Sequence, residues 1–326
     1  MEQGRSVMRY AIVELRNKQL LNMDFQISLI TDRLLLENIT LNDNKFIFEL
    51  VNSNGWLKFI GNRNVNSTIE ATAYIQKIID SSNLYYWIVK LKDSKIAIGI
   101  ITFIKRDYLE YHDIGFAFLP NFSNKGYAYE ATFAVLNSVI QTHNLSYILA
   151  TTIPENITSI KLLKKLGLNF EKEIEPDNVR ICVYGVSIDK LQINEISKSF
   201  FGLFSNINNR QPNINLLNSI CIPEIMIISK VDNKHTIYNL DSFIEPRQKM
   251  LTDGTLTEFE ECEECEINEQ TKICNNIAQR YSEYLKNGIL ERKSFNKKGH
   301  KFLQFVKTNR EWKISSVIWE DENGTH

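Results

Sequence analysis

The chain has 326 residues, of which 43% are hydrophobic and 24% charged, the balance of a folded water-soluble protein and more chain than one core usually holds. The formal net charge of -1 excludes the global basic field of a nucleic-acid-binding protein. No apolar run reaches the roughly 18 residues of a transmembrane helix, and the first residues lack the apolar stretch of a secretory signal. The five cysteines, Cys182, Cys221, Cys262, Cys265 and Cys274, are an odd set that reads as free thiols of a reducing compartment, so a cytoplasmic location is expected.

Residues 1–25 match nothing that follows and are set apart as an N-terminal extension. "SLITDRLLLENIT" (28–40) alternates Leu34 and Leu36 with polar neighbours and predicts a strand, with a helix next in "LNDNKFIFELV". "TIEATAYIQKIIDSSN" (68–83) predicts a second helix with Ala71, Tyr74, Ile75 and Ile78 on one face. Strands are expected over 84–92, 95–104 and 111–120, the first two joined by a tight turn at Asp93 and Ser94. A helix from Gly126 to Thr142 and a strand over 146–153 follow. In 155–168 Asn156 is placed to cap a helix and Gly167 to stop it. "NFEKEIE" and "RICVYGVSID" close this part as an antiparallel pair.

The pattern changes at 190–196, which divides the chain into domains at 26–190 and 197–326. The second part predicts a short helical start, a strand in "LLNSICI", a strand pair in "EIMIISKVDNKHTIYNL" and a helix in "DSFIEPRQKML". An acidic strand "TLTEFEECEECEIN", a strand "CNNIAQRYSEYLK" and a closing hairpin follow. In the hairpin, strict alternation puts Trp312, Ile314, Ser316 and Ile318 on one face, with Lys313, Ser315, Val317 and Trp319 on the other.

The stretch "NFSNKGYAYEA" (121–131) carries the first functional signal. A strand runs into a loop with a single Gly126, and a helix begins there. A helix start offers unpaired backbone N–H groups and the positive end of its dipole, and Gly lets an anion approach closely. Strand, Gly loop and helix therefore outline a pyrophosphate seat, with Lys125 adding a cation, although one Gly alone equally describes an ordinary turn.

Three segments in order resemble the GNAT acetyltransferases, in particular their RimJ/RimL branch: "TDRLLLENIT", "DIGFAFLPNFSNKGYAYEA" and "PENITSIKLLKKLGLNFE". The resemblance spans 28–189 and implies an α+β fold, a twisted mixed sheet with flanking helices. Its fourth and fifth strands would splay apart to admit the pantetheine arm of acetyl-CoA, the co-substrate. The family's acyl-CoA loop falls on Ser123, Asn124, Lys125, Gly126, Tyr127 and Ala128, with the N–H groups of Asn124 to Ala128 on the pyrophosphate. Ser123 stands where the family usually has Arg or Gln, and Asn124 where it often has Gly.

Acetyl transfer needs a donor for the thioester carbonyl, which the resemblance places on the backbone within Phe116, Phe118 and Leu119. It also implies that Ser159 donates to the leaving thiolate and that Asn156 holds the pantetheine arm; as residues of a helix start, the same pair reads as a cap and a first-turn Ser. Asp113 stands where relatives often carry Glu, and is either a base acting through water or a sheet residue bonded to a neighbour. His112 points to the opposite face from Asp113, and Glu173 and Glu175 are weaker candidates. The acceptor implied is an amine on a protein N-terminus or a small molecule.

Residues 197–326 resemble the NTF2-like (SnoaL-like) cone, a bent antiparallel sheet with helices, through "DSFIEPRQKMLTDGTLTEFEECE", "NNIAQRYSEYLKNGIL" and "GHKFLQFVKTNREWKISSVIWEDE". Arg247, Arg280, Trp319 and Glu320 line such a cone or support it. The fold serves ligand binding, small-molecule catalysis or homodimerisation. Cys262 and Cys265 with Cys274 fall short of the paired knuckles of a zinc site, so no metal is expected. The reading is a two-domain N-acetyltransferase with no nucleic-acid or membrane partner. Its rivals are a non-catalytic acyl-CoA sensor and an isomerase or hydrolase seated in the second domain.

Overall fold

A computed structural model describes residues 28–142, 145–231, 234–261, 266–309 and 311–322. The expected N-terminal extension and the pair Cys262 and Cys265 lie outside the described residues. The chain divides into two compact units, one ending at Ile188 and the other beginning at Asp189.

The first unit runs β1 (Leu29–Ile30), β2 (Leu34–Asn38), α1 (Asn44–Val51), α2 (Asn54–Phe59), α3 (Thr68–Ile79), β3 (Leu84–Leu91), β4 (Ala97–Ile104) and β5 (Asp113–Phe118). Then come α4 (Tyr127–Thr142), β6 (Tyr147–Thr152), α5 (Ile157–Lys165), β7 (Asn169–Ile174) and β8 (Ile181–Ser187). One sheet holds all eight strands in the order β1-β2-β3-β4-β5-β6-β8-β7. The single strand expected at 28–40 is two short ones, because Thr31 turns the chain by accepting the Leu34 N–H at 3.0 Å. Helices α1 and α3 bury Ile47, Leu50, Ala71, Ile75 and Ile78 against Ile88 and Ile100 of the sheet. Ser67 starts α3 by accepting the Glu70 N–H at 3.2 Å.

Pairing is antiparallel throughout this sheet except at β5 and β6, which run parallel. That one junction is also the weakest. β5 pairs with β4 along its whole length, from Asp113↔Ile104 to Phe118↔Gly99, but with β6 only at Asp113↔Leu149. The sheet is split above that point.

In the second unit α6 (Ile188–Gly202) and the single turn α7 (Leu217–Ile220) precede β9 (Cys221–Val231), β10 (Lys234–Tyr238) and α8 (Leu240–Thr252). The strands β11 (Leu256–Glu260), β12 (Glu266–Cys274), β13 (Ile277–Leu290), β14 (Lys293–Thr308) and β15 (Glu311–Asp321) complete it. The sheet order is β10-β9-β15-β14-β13-β11, with β12 also on β13. Phe200, Phe204, Phe243, Leu303, Phe305, Trp312 and Ile314 are in its core.

Three expectations change here. The segment "LLNSICI" is helical up to Ile220, and its strand starts only at Cys221. The acidic strand is two, β12 pairing with the first half of β13 and β11 with the second. In the closing hairpin the register shifts between Phe305↔Ile314 and Gln304↔Ser316, leaving Ser315 as the extra residue of a bulge. A one-residue insertion reverses the faces beyond it. Trp312, Ile314 and Val317 are therefore buried together, while Ile318 is exposed.

Arg280 and Glu266 form a buried ion pair at 2.5 Å, and Arg280 also donates to Asn194 and Thr271. Arg247 lies over the rings of Phe243, Tyr238 and Trp319, and Glu320 is an exposed partner of Lys230. These contacts make Arg280, Arg247 and Trp319 supports of the sheet. Breaking a buried pair costs more than replacing it. Arg280→Met should lower unfolding free energy by about 3–5 kcal/mol, and the double change Arg280→Met with Glu266→Leu should recover most of it. Urea melts of the two variants measure this directly.

Candidate active site: the split between two strands

Beyond Leu149, whose N–H donates to the His112 carbonyl at 2.9 Å, a regular parallel ladder would next give the Thr151 N–H to a β5 carbonyl. It goes instead to the Asp113 carboxylate, Oδ1, at 2.9 Å. A side chain now stands between the strands where a backbone group would be, and the strands part. The second oxygen accepts from Arg106 Nε at 2.5 Å and from the Thr151 hydroxyl at 3.3 Å. Asp113 is 2% exposed. Burial pushes its carboxyl up from the ordinary range, against the pull of Arg106 and Thr151.

The split leaves backbone donors without a strand opposite. The Leu119 N–H bonds to the Ile98 carbonyl of β4's edge at 2.9 Å, and Leu119 is buried in the core. Alternation along β5 then turns the N–H groups of Phe116 and Phe118 toward the split. The expected donor window contracts to those two: Leu119 is excluded because its N–H already has a partner. Gly99 leaves room for this arrangement, since a Cβ there would meet the Phe118 ring at 2.4 Å.

At the C-terminal end of β5 the chain enters the loop Ser123–Ala128. Among the described residues the N–H groups of Asn124, Lys125, Gly126, Tyr127 and Ala128 have no hydrogen-bond acceptor. Gly126 has φ +80° and Asn124 φ +58°. The Asn124 position thus needs the left-handed backbone that Gly supplies most easily and Asn tolerates. Asn in place of Gly is therefore a substitution within the same conformation. Ser123 is in extended backbone, with its N–H on the Pro120 carbonyl.

The loop is gripped by residues that pattern reading gave no role. Arg33 donates from Nη1 to the Lys125 carbonyl at 3.0 Å and from Nε to Glu130 at 2.7 Å. Its guanidinium lies 4.6 Å from the Tyr127 ring centre. Thr31 Oγ1 and the Arg33 N–H both donate to the other Glu130 oxygen. Burial opposes the charge of Glu130, but the bonds from Thr31 and Arg33 outweigh it and hold its carboxyl below the usual range. The only sequence signal was indirect: "TDR" stands inside a segment already singled out.

Asn156 caps α5, its Oδ1 accepting the Ser159 N–H at 3.1 Å, and Gly167 ends it at φ +88°. Cap and ligand roles do not collide, because the Asn156 Nδ2 and the Ser159 hydroxyl have no partner among the described residues. His112 stacks on Phe103, away from the split. Glu173 is exposed and bonded to Arg180 at 2.7 and 2.8 Å.

An open strand pair thus lies beside a donor-rich helix start. Residues 33–169 match the family described as acetyltransferase (GNAT) domain. The uncharacterised N-acetyltransferase YnaD of Bacillus subtilis (strain 168) is 35% identical over 141 residues, 43% of this chain and 82% of that protein. The chain belongs to the GNAT acetyltransferase family. A second uncharacterised N-acetyltransferase of the same organism, YoaA, is 30% identical over 149 residues, 44% of this chain and 82% of its own. A GNAT-family acetyltransferase structure from Bacillus anthracis aligns at 26% identity and TM-score 0.44, over 49% of this chain and 98% of its own. The protein is thus an acetyltransferase whose co-substrate is acetyl-CoA, and the unpartnered N–H groups of Asn124–Ala128 are donors of the kind its pyrophosphate requires.

Asp113 accepts from three donors, Arg106 Nε, the Thr151 N–H and the Thr151 hydroxyl, whose one proton lies within reach of both carboxylate oxygens. Asp113→Asn keeps the acceptor for Thr151 but faces Arg106 with a donor. The cost should be at the lower end of about 3–5 kcal/mol, because Arg106 keeps some water. A melting temperature lower by roughly 6 °C or more is expected in calorimetry. An unchanged melting temperature with lost turnover would instead mark Asp113 as the base.

Proposed function

We propose that this acetyltransferase transfers its acetyl group to a primary amine, on a protein N-terminus or a small molecule, in the manner of the RimJ/RimL branch. The supporting observation is the run of five backbone N–H groups, Asn124 to Ala128, that leads into the first turn of a 16-residue helix beside the split. Acetyl-CoA brings an acyl group activated as a thioester. The N–H groups of Phe116 and Phe118 are the donors for its carbonyl oxygen, and the loop holds its pyrophosphate. The lone pair of the neutral amine nitrogen bonds to the acyl carbon as the carbon–sulfur bond breaks; the proton the amine loses passes through water to the leaving thiolate, which departs as the CoA thiol, and the Ser159 hydroxyl hydrogen-bonds that sulfur. Asn156 Nδ2 bonds the pantetheine arm while Oδ1 remains the cap. Asp113 is assigned as the strut of the split, which favours the second of its two readings.

The second unit is proposed to be NTF2-like, supported by its seven-stranded sheet and the helices α6 and α8 that share its core. On its outer face a row of cross-strand partners runs Ile237, Ile228, Ile318, Phe302, Tyr281. Phe302 is 51% exposed and Ile237 60%. Such a row suits a two-fold contact with a second copy of the chain. No described helix is long and apolar enough to cross a membrane. The free thiols Cys182, Cys221 and Cys274 suit the cytoplasm.

Titration calorimetry with acetyl-CoA should give a Kd in the micromolar range, about -8 kcal/mol. Gly126→Glu should abolish it, because a side chain at positive φ strains the loop and its charge repels the pyrophosphate. Equal binding by the variant would remove the loop from the site. Light scattering should show a dimer for the wild type and a monomer for Phe302→Glu; a monomeric wild type would contradict the two-fold contact.

A further inference from the structure

Glu130 is on α4, and its own N–H bonds back to the Gly126 carbonyl at 3.1 Å. Arg33 stands at the head of β2 and reaches both ends of this turn: the Lys125 carbonyl at 3.0 Å and the Glu130 carboxylate at 2.6 Å. A Cβ built on Gly126 would lie 3.2 Å from Arg33 Nη2, so the guanidinium is packed against the loop backbone itself. The peptide between Lys125 and Gly126 is planar and trans, so its carbonyl and its N–H point in opposite directions. Holding the carbonyl fixes where the N–H aims.

We propose that Arg33 is a positioning residue for the pyrophosphate seat. By tying the Lys125 carbonyl it orients the Gly126 N–H away from itself, and through Glu130 it anchors that peptide to the first turn of α4. Thr31 completes the anchor by occupying the other Glu130 oxygen. The assignment rests on the reading of the loop as a seat for acetyl-CoA. It explains why a loop that keeps only Gly126 of its glycines can hold one shape: the conformation is imposed from outside, by a planar fork that reaches two acceptors at once.

The test separates a positioning role from a merely structural one by using two ligands. CoA carries the pyrophosphate, and acetyl-pantetheine lacks it. Arg33→Lys keeps the charge and a partner for Glu130, but a point charge lacks the fork that spans both acceptors. The Kd for CoA should rise about tenfold, the loss of one well-made hydrogen bond. The Kd for acetyl-pantetheine should stay within about twofold of the wild type. Glu130→Gln, which keeps an acceptor for Thr31, should raise the CoA Kd about threefold through a looser guanidinium. Equal weakening of both ligands, or an unchanged CoA Kd in Arg33→Lys, overturns the positioning role alone. Failure of the wild type to bind CoA overturns the seat as well.

Discussion

One hydrogen bond sets the architecture of the first unit: the Thr151 N–H donated to the Asp113 side chain. A parallel strand pair closes by exchanging backbone groups at every second residue. Here the exchange stops after Leu149, because a carboxylate takes the next donor and Arg106 balances its charge. A buried carboxylate is costly, and the Arg106 charge and the two Thr151 donors offset part of that cost. The sheet is interrupted by a hydrogen-bonded, charge-paired side chain, which is how a stable core can contain an open edge.

The consequences run upward along β5. Past the interruption, β5 keeps its ladder with β4, and its other edge faces the split with the N–H groups of Phe116 and Phe118. The strand then delivers the chain to Ser123–Ala128, where five more N–H groups have no acceptor among the described residues. At a solvent-exposed helix start such donors bond to water and remain available to an anion. Gathered along one strand and the helix start that follows it, they are the donors proposed for the acyl group and the pyrophosphate of acetyl-CoA. The exterior supports, Arg33 with Glu130 and Arg106 with Asp113, hold backbone that has no ladder of its own.

Local features of this arrangement were legible in the sequence. Gly126 ahead of a helix, Asn156 as a cap and Gly167 as a stop follow from short-range rules, and the structure has them at those residues. Asn124 in place of Gly follows the same logic once its positive φ is known. The supports were not legible: Arg33 and Glu130 are 97 positions apart, and Asp113 and Thr151 are 38 apart. No periodicity connects such pairs. Leu119 failed as a donor because alternation depends on which neighbour a strand faces. In the second unit Ser315 reversed the faces of the last strand, since a single inserted residue is invisible to a pattern of period two.

A split held by Asp113 requires the β5 edge to be open before any ligand arrives. Residue-resolved amide hydrogen exchange, with and without acetyl-CoA, examines that edge. In the free protein Phe116 and Phe118 should exchange rapidly while Thr151 is protected, and acetyl-CoA should slow the first two together with Asn124–Ala128. Protection of Phe116 and Phe118 in the free protein, or fast exchange at Thr151, would mean that the strands are paired there and that Asp113 does not hold them apart.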